Sequence, residues 1–295
     1  MLDTKELYTI RDFLRFSVSR FNEAGLHYGH GTDNAWDEAV ALILHTLYLP
    51  HDIDSHILEA RITTKERILL NQMIEKRIQE RIPVPYLTRE AWFAKLPFYV
   101  DERVLIPRSP LAELIENHFE PWIESHHLNQ VLDLCTGCGC IAIALAKTFP
   151  ECKIDASDMT ESALAVAKIN VHRHQVEDQV MLYQADLFAG LPAKKYDLII
   201  SNPPYVDADD MAELPPEFKH EPAIALAAGQ EGLDIVLRIL KKAATFLNPQ
   251  GVLIVEVGNS EAALAEKLPD VPFTWLEFER GGGGVFLLTA KQLLN

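Results

Sequence analysis

Apolar residues in the first eighty positions recur at helical spacing: Ile10, Phe13, Leu14 and Phe21, then Ala39, Leu42, Ile43 and Leu47. Strand signals are few there, so the pattern predicts a small helical domain over residues 1–85. Thr63 and Thr64 followed by Glu66 and Arg67 have the form of a helix start. Ile68, Leu69, Met73, Ile74 and Ile78 carry its apolar face until Pro83 and Pro85 stop it. Those prolines open a linker over 86–109. Alternation around Leu96-Pro97 and Asp101-Glu102 predicts a hairpin there, ahead of Pro107 and a helix from about Pro110.

From 110 to 295 the period changes. Apolar strand segments at 130–135, 153–157, 180–183 and 196–201 alternate with helical segments at 141–148 and 162–172. That alternation predicts an α/β domain, a parallel sheet with helices on both faces. A helix over 233–246, an apolar strand over 252–257 and a short helix over 262–268 follow. A closing pair of strands, 273–278 and 284–288, is expected to be joined by a hairpin turn at Gly281 to Gly284.

A chain of 295 residues that is 48% apolar and 24% charged has material for one large domain or two unequal ones, which excludes a small disulfide scaffold or a disordered segment. The apolar runs at 141–146 and 252–257 are far shorter than the ~20 residues of a membrane span, so no membrane association is expected. Met1 to Arg20 mixes Asp3, Lys5, Glu6, Arg11 and Asp12 with apolar residues, unlike a secretion signal, which points to the cytoplasm. Three of the four cysteines fall between 135 and 140, too close together to staple distant segments, and a reducing compartment fits them. The net charge is −16, of which residues 1–90, with 11 basic and 14 acidic side chains, carry only −3. Tight nucleic-acid binding is therefore not expected, and a basic protein partner suits the larger domain better. Self-association is expected to stop at a monomer or weak dimer.

Val131-Leu132-Asp133-Leu134 runs into Cys135-Thr136-Gly137-Cys138-Gly139-Cys140, an apolar strand leading through a turn of small residues into a helix. Glycines there permit close backbone approach, and the free N–H groups of the helix start favour an anionic group. Both a dinucleotide and S-adenosylmethionine fit, although the dinucleotide fingerprint lacks its third glycine. Asp158, closing the second strand, is placed to accept hydrogen bonds from the hydroxyls of an adenosine ribose. Alone it could equally be a helix cap. Cys135, Cys138 and Cys140 could be metal ligands, but no fourth ligand is evident, and reduced buried thiols are the simpler reading.

Ile199-Ile200-Ser201-Asn202-Pro203-Pro204-Tyr205 puts an Asn-Pro-Pro-Tyr loop at the carboxyl end of the fourth strand, where open parallel sheets bind ligands. The prolines stiffen the loop and lack N–H groups, which leaves the Pro203 carbonyl as an acceptor beside the Asn202 side-chain oxygen. Two acceptors can grip one planar NH2 group and turn its lone pair toward an electrophilic methyl, with the Tyr205 ring against its face.

Asp133 to Gly139 followed by Asn202 to Tyr205 resembles the methyltransferases that act on planar NH2 groups. Phe98-Tyr99-Val100, Leu105-Ile106-Pro107-Arg108, His220-Glu221-Pro222 with Gly229 and Gly232, and Glu256-Val257-Gly258 narrow the resemblance to the protein glutamine methyltransferase family that includes the release-factor enzymes. Ser109-Pro110 and Cys135 depart from the release-factor branch. Tyr28-Gly29-His30-Gly31-Thr32-Asp33, Ile106 to Pro110 and Pro272 to Phe278 look instead like the branch acting on large-subunit ribosomal protein L-three.

The resemblance implies a class I S-adenosylmethionine-dependent methyltransferase, with a Rossmann-like seven-stranded sheet, its last strand antiparallel, behind an N-terminal substrate-recognition domain. It implies that Asp133, Cys135, Thr136, Gly137, Cys138, Gly139, Asp158, Asp186, Leu187 and Asn202 contact the cofactor. Leu187 would flank the adenine where the release-factor branch carries an aromatic. Asn202, Pro203, Pro204 and Tyr205 would hold a glutamine amide of the ribosomal protein. Alternative substrates are a release-factor glutamine or exocyclic amino groups in RNA or DNA, and a non-catalytic assembly factor on the same fold is a further reading. Arg108 is expected to fix the hairpin or to form a surface ion pair, and His27 and His30 are assigned no chemistry.

Overall fold

In the computed structural model, which describes residues 4–123 and 128–294, the helical stripes of the N-terminal region bury against one another. Residues 1–3, where the stretch unlike a secretion signal begins, and Asn295 lie outside the described residues. Helix α1 (Ile10–Glu23) starts at Thr9, whose side chain accepts from the Asp12 amide while the Asp12 carboxylate accepts from the Thr9 amide. Phe13, Leu14 and Phe21 of α1 pack with Ala39, Leu42 and Ile43 of α2 (Ala35–Thr46). Helix α3 (Thr64–Glu75) starts where expected, with a capping box from Thr63 and Glu66, and it runs on into a π-helical turn, Lys76–Glu80. Pro83 and Pro85 do stop this helix, but they open another rather than an extended linker. Helix α4 (Val84–Thr88) carries proline in its first turn, where the missing N–H has no helical partner to lose.

This compact unit extends to Ala91 and takes in a distant segment, Pro215–His220. The sequence pattern assigned that segment to the 110–295 domain. Glu217 is fully buried there, with Oε1 accepting from the His27 amide at 3.1 Å and lying 3.3 Å from Arg77 and 3.4 Å from Arg81. Arg77, 1% exposed, also pairs with Glu38, so one guanidinium neutralises two buried carboxylates. The Phe218 ring packs against His27 and His30, with centroids 5.4 and 4.3 Å away.

The second unit begins within a hairpin, β1 (Ala91–Phe93) and β2 (Leu96–Phe98), whose turn residues Ala94 and Lys95 have φ of +46° and +61°. The turn therefore lies before Leu96-Pro97, the dipeptide at which the alternation of the sequence is centred. Helix α5 (Leu111–Glu116) precedes β3 (Gln130–Leu134), α6 (Cys140–Thr148), β4 (Lys153–Asp158), α7 (Glu161–Arg173), β5 (Val180–Gln184) and β6 (Tyr196–Ser201). Then come α8 (Ala208–Glu213), α9 (Asp234–Ala243), β7 (Leu247–Glu256), α10 (Glu261–Lys267), β8 (Thr274–Trp275) and β9 (Val285–Thr289).

The seven strands order as β5-β4-β3-β6-β7-β9-β8. The first five run parallel, and the last strand of the chain, β9, runs antiparallel between β7 and β8. Successive strand residues feed opposite faces. Val131, Leu198, Ile200 and Ile254 join a core with α5, α6 and α7, while Leu132, Leu134, Ile199, Leu253 and Val255 join one with α9 and α10. A sheet covered on both sides needs such continuous apolar strands. The closing pair is shorter than the apolar pattern suggested, because β8 has only two residues. Gly281 to Gly284 accordingly lie in a long connection rather than in a tight hairpin turn. The chain leaves β3 outward to β4 and β5, then returns to β6 on the other side of β3. That reversal opens a crevice at the carboxyl ends of β3 and β6.

Candidate active site

The turn after β3 is built from left-handed backbone: φ is +59° at Cys135, +55° at Gly137 and +83° at Gly139. A Cβ on Gly137 would meet nothing within 4 Å, whereas one on Gly139 would stand 3.3 Å from the Ala167 side chain. The two glycines thus serve different ends, one leaving space above the turn and the other letting α6 and α7 approach. Gly139→Ala is expected to lower stability by about 1–3 kcal/mol, from strained φ and the close contact. A shift of the urea midpoint at unchanged slope checks it.

Asp133 braces this turn from beneath. Its Oδ2 accepts from the Thr136 hydroxyl at 2.5 Å and from the Ala142 amide at 3.2 Å, and Oδ1 is buried without a partner among the described residues. Full burial pushes its carboxyl up to about 7, against the pull of those two hydrogen bonds. Asp158 accepts from the Gly137 amide at 3.0 Å and, through its other oxygen, from the amide and hydroxyl of Thr160, each at 2.9 Å. It therefore ties the turn to the end of β4. Burial and the nearby charge of Asp158 raise the Cys135 thiol far above its ordinary range, so it stays protonated. No group of three His, Cys, Asp or Glu that could hold a metal occurs among the described residues.

Over the turn lies a cavity of roughly 920 Å³, counting its open mouth. Of the residues named from the sequence, Cys135, Gly137, Asp158, Asp186, Leu187, Asn202 and Pro204 line it. Asp133, Thr136, Cys138 and Gly139 stand behind that surface rather than in it. The sequence reading missed Leu105, Pro222, Ile235 and Arg238 as lining residues. Arg238 holds Asp186 at 2.7 Å on the rim. Leu105 and Pro222 sit in segments singled out by resemblance, but local periodicity carries no sign that they converge.

The Asn-Pro-Pro-Tyr loop is brought to the cavity by register. Leu134 pairs with Ser201 across β3 and β6, and the Ser201 hydroxyl donates to the Leu134 carbonyl at 2.8 Å. Asn202 is half-buried on the cavity wall and Pro203 is buried beside it. Tyr205 instead lines a second cleft, with Arg108, Pro110, Glu256 and Gly282 to Gly284. One short loop therefore faces both spaces. The Tyr205 hydroxyl donates to Glu256 at 3.0 Å, and burial raises the phenol above its ordinary range while pushing the Glu256 carboxyl up to about 7. Arg108 makes a two-pronged pair with buried Glu221 at 2.6 and 2.8 Å, and Glu221 also accepts from the Ile106 amide at 2.9 Å.

A reversal crevice with a glycine turn on one strand and Asn-Pro-Pro-Tyr on the next, in a seven-stranded sheet of this order, defines a class I methyltransferase. A family profile described as "Methyltransferase small domain" matches residues 113–229. The hMettl16 catalytic domain, solved in complex with MAT2A 3'UTR hairpin 6, shares the fold at 19% identity and a TM-score of 0.50, over 77% of this chain and 81% of that one. Much closer is the ribosomal protein uL3 glutamine methyltransferase of Neisseria gonorrhoeae, 53% identical over 292 residues that make up 99% of this chain and 97% of that protein. Its counterpart from Neisseria meningitidis serogroup B is 53% identical over 99% and 96%. The chain belongs to the family of ribosomal protein uL3 glutamine methyltransferases.

The cofactor of this methyltransferase is S-adenosylmethionine, and the residues present fit it. The cavity stands at the carboxyl ends of β3 and β6, the position above Gly137 is open, and Asp158 presents a carboxylate at the end of β4. No helix among the described residues is long and apolar enough to cross a membrane.

Proposed function

We propose that this enzyme methylates a glutamine side-chain nitrogen of ribosomal protein uL3 in the cytoplasm. The observation that carries the reading is Asn202, set by the Leu134–Ser201 pairing on the wall of the cavity that Gly137 floors. The relatives named for the same reaction, identical at 53% of positions across nearly the whole chain, support the choice of substrate.

Cys135 and Gly137 would hold the methionine part of the cofactor, Asp158 the ribose, and Asp186 and Leu187 the adenine edge. Bound there, the cofactor supplies an electrophilic methyl group. The Asn202 side-chain oxygen and the Pro203 carbonyl accept the two amide hydrogens, fixing the glutamine nitrogen with its lone pair toward the cavity. As positive charge grows on that nitrogen, the same two oxygens offset it, and one of its protons leaves to water once the methyl has been transferred, so no strong general base is required. The glutamine enters from the cleft on the Tyr205 side, and the ring packs on its planar amide. The acidic surface favours approach of a basic polypeptide, and the N-terminal helical unit is assigned to recognising it.

The purified protein, incubated with labelled S-adenosylmethionine and free uL3, a release factor or ribosomal RNA, is expected to label a glutamine of uL3 alone, located by mass spectrometry. Label on the release factor would overturn the substrate. Label on RNA would show that the two acceptors grip a base amino group instead.

A further inference from the structure

The segment after α4 and the end of β7 meet Tyr205 through one buried carboxylate. Glu256, 4% exposed, accepts from the Tyr205 hydroxyl at 3.0 Å on Oε1 and from the Ser109 hydroxyl on Oε2. Ser109 is itself fixed, because its oxygen accepts from the Leu111 amide at 3.1 Å at the head of α5. The rest of Tyr205 is held as closely. Its carbonyl accepts from the Ser260 hydroxyl at 2.9 Å, and its ring lies so near Gly258 that a Cβ there would come within 2.5 Å of the ring carbon Cε2.

The ring thus has a fixed root, a fixed flank and a fixed tip. Leu253, Ile254 and Val255 of the same strand are fully buried apolar residues, and an apolar side chain at 256 would be cheaper to bury than a carboxylate. A carboxylate with both oxygens engaged can set a direction that an apolar contact cannot.

We propose that Glu256, anchored by Ser109, is a positioning residue that fixes the angle at which the Tyr205 ring meets the substrate amide. This rests on the reading of Tyr205 given under the proposed function. Glu256 does not line the cofactor cavity; it lines the cleft on the Tyr205 side, where its two oxygens are taken by Tyr205 and Ser109. Its effect passes through the phenol and falls on turnover rather than on cofactor binding.

The test uses the full chain, labelled S-adenosylmethionine and uL3, with kcat, KM and cofactor affinity measured separately. Glu256→Ala is expected to lower kcat by about 10- to 100-fold, the range for a small misplacement of a positioning group, with cofactor affinity unchanged. Glu256→Gln keeps an acceptor for the phenol and a second polar contact for Ser109, so it should restore most of the rate and also control for folding. Tyr205→Phe cuts the same link and should lower kcat similarly. Adding it to Glu256→Ala should cause no further loss. A wild-type kcat in Glu256→Ala, or losses that multiply in the double variant, would overturn the proposal. If Tyr205→Ala loses activity while Tyr205→Phe and Glu256→Ala do not, this inference alone falls. A wild-type rate in Tyr205→Ala overturns the reading of Tyr205 and this inference with it.

Discussion

Asn202→Ala is expected to reduce kcat for uL3 methylation by about 10²–10³-fold while leaving the affinity for S-adenosylmethionine close to that of the parent. The magnitude is that of removing one preorganised acceptor or donor from a site where charge develops in the transition state. Asn202 follows the last residue of β6, and Ser201 is locked to Leu134, so the loss of one side chain should leave the backbone of the loop in place. The Pro203 carbonyl then faces the amide alone. One hydrogen is still held, the nitrogen can rotate about that bond, and its lone pair no longer points reliably at the methyl group. Most of the cavity lining, with Gly137, Asp158 and Leu187, is untouched, which is why binding and turnover should separate. Single-turnover methylation beside calorimetric cofactor titration measures both. An unchanged rate would remove Asn202 from the chemistry, and a parallel loss of affinity would make it a cofactor ligand only.

The parallel sheet was legible because its signals are local. Strand β6 covers the same residues, 196–201, that apolar periodicity marked, and α6, α7 and α10 lie within one residue of the expected bounds at either end. Thr63, Thr64, Glu66 and Arg67 marked a helix start, and the structure begins α3 there with a capping box. The hairpin was misplaced because a turn through Ala94 and Lys95 uses left-handed φ without the glycine or asparagine that marks such turns. The long arm between β8 and β9 looked like a tight turn because glycine signals freedom, while here Gly284 is required for contact. A Cβ on it would fall 2.2 Å from the Gly258 carbonyl.

At the site, the loops were readable as motifs, but the depth of each residue was not. Asp133 reads as a ligand in the sequence, yet it is fully buried under the turn, since the same strand-end position serves either to face a ligand or to brace the loop that does. Least legible were the buried carboxylates. Glu217, Glu221 and Glu256 find partners 140, 113 and 147 residues away, a separation at which neither spacing nor charge pattern carries information.

Arg108→Ala should cost about 3 kcal/mol of stability, at the low end for breaking a buried pair because Arg108 keeps 23% of its side chain exposed. The cost comes from what remains. Glu221, whose side chain is 0% exposed, would lose both prongs of the guanidinium that neutralise its charge, while the Ile106 amide still donates to it. Adding Glu221→Gln removes that charge, so the double variant should recover part of the loss, and Glu221→Gln alone should cost less than Arg108→Ala because Arg108 has a route to water and still donates to the Ile106 carbonyl at 3.1 Å. The pair also bears on the site. Glu221 adjoins Pro222, which lines the cofactor cavity beside Leu105, and both residues are set by the Arg108 and Ile106 contacts. Arg108→Ala should therefore weaken cofactor binding as well as folding, unlike Asn202→Ala. Urea unfolding of the three variants, with cofactor titration of each, measures both effects. A loss within about 0.5 kcal/mol would reduce Arg108 to an ordinary surface ion pair.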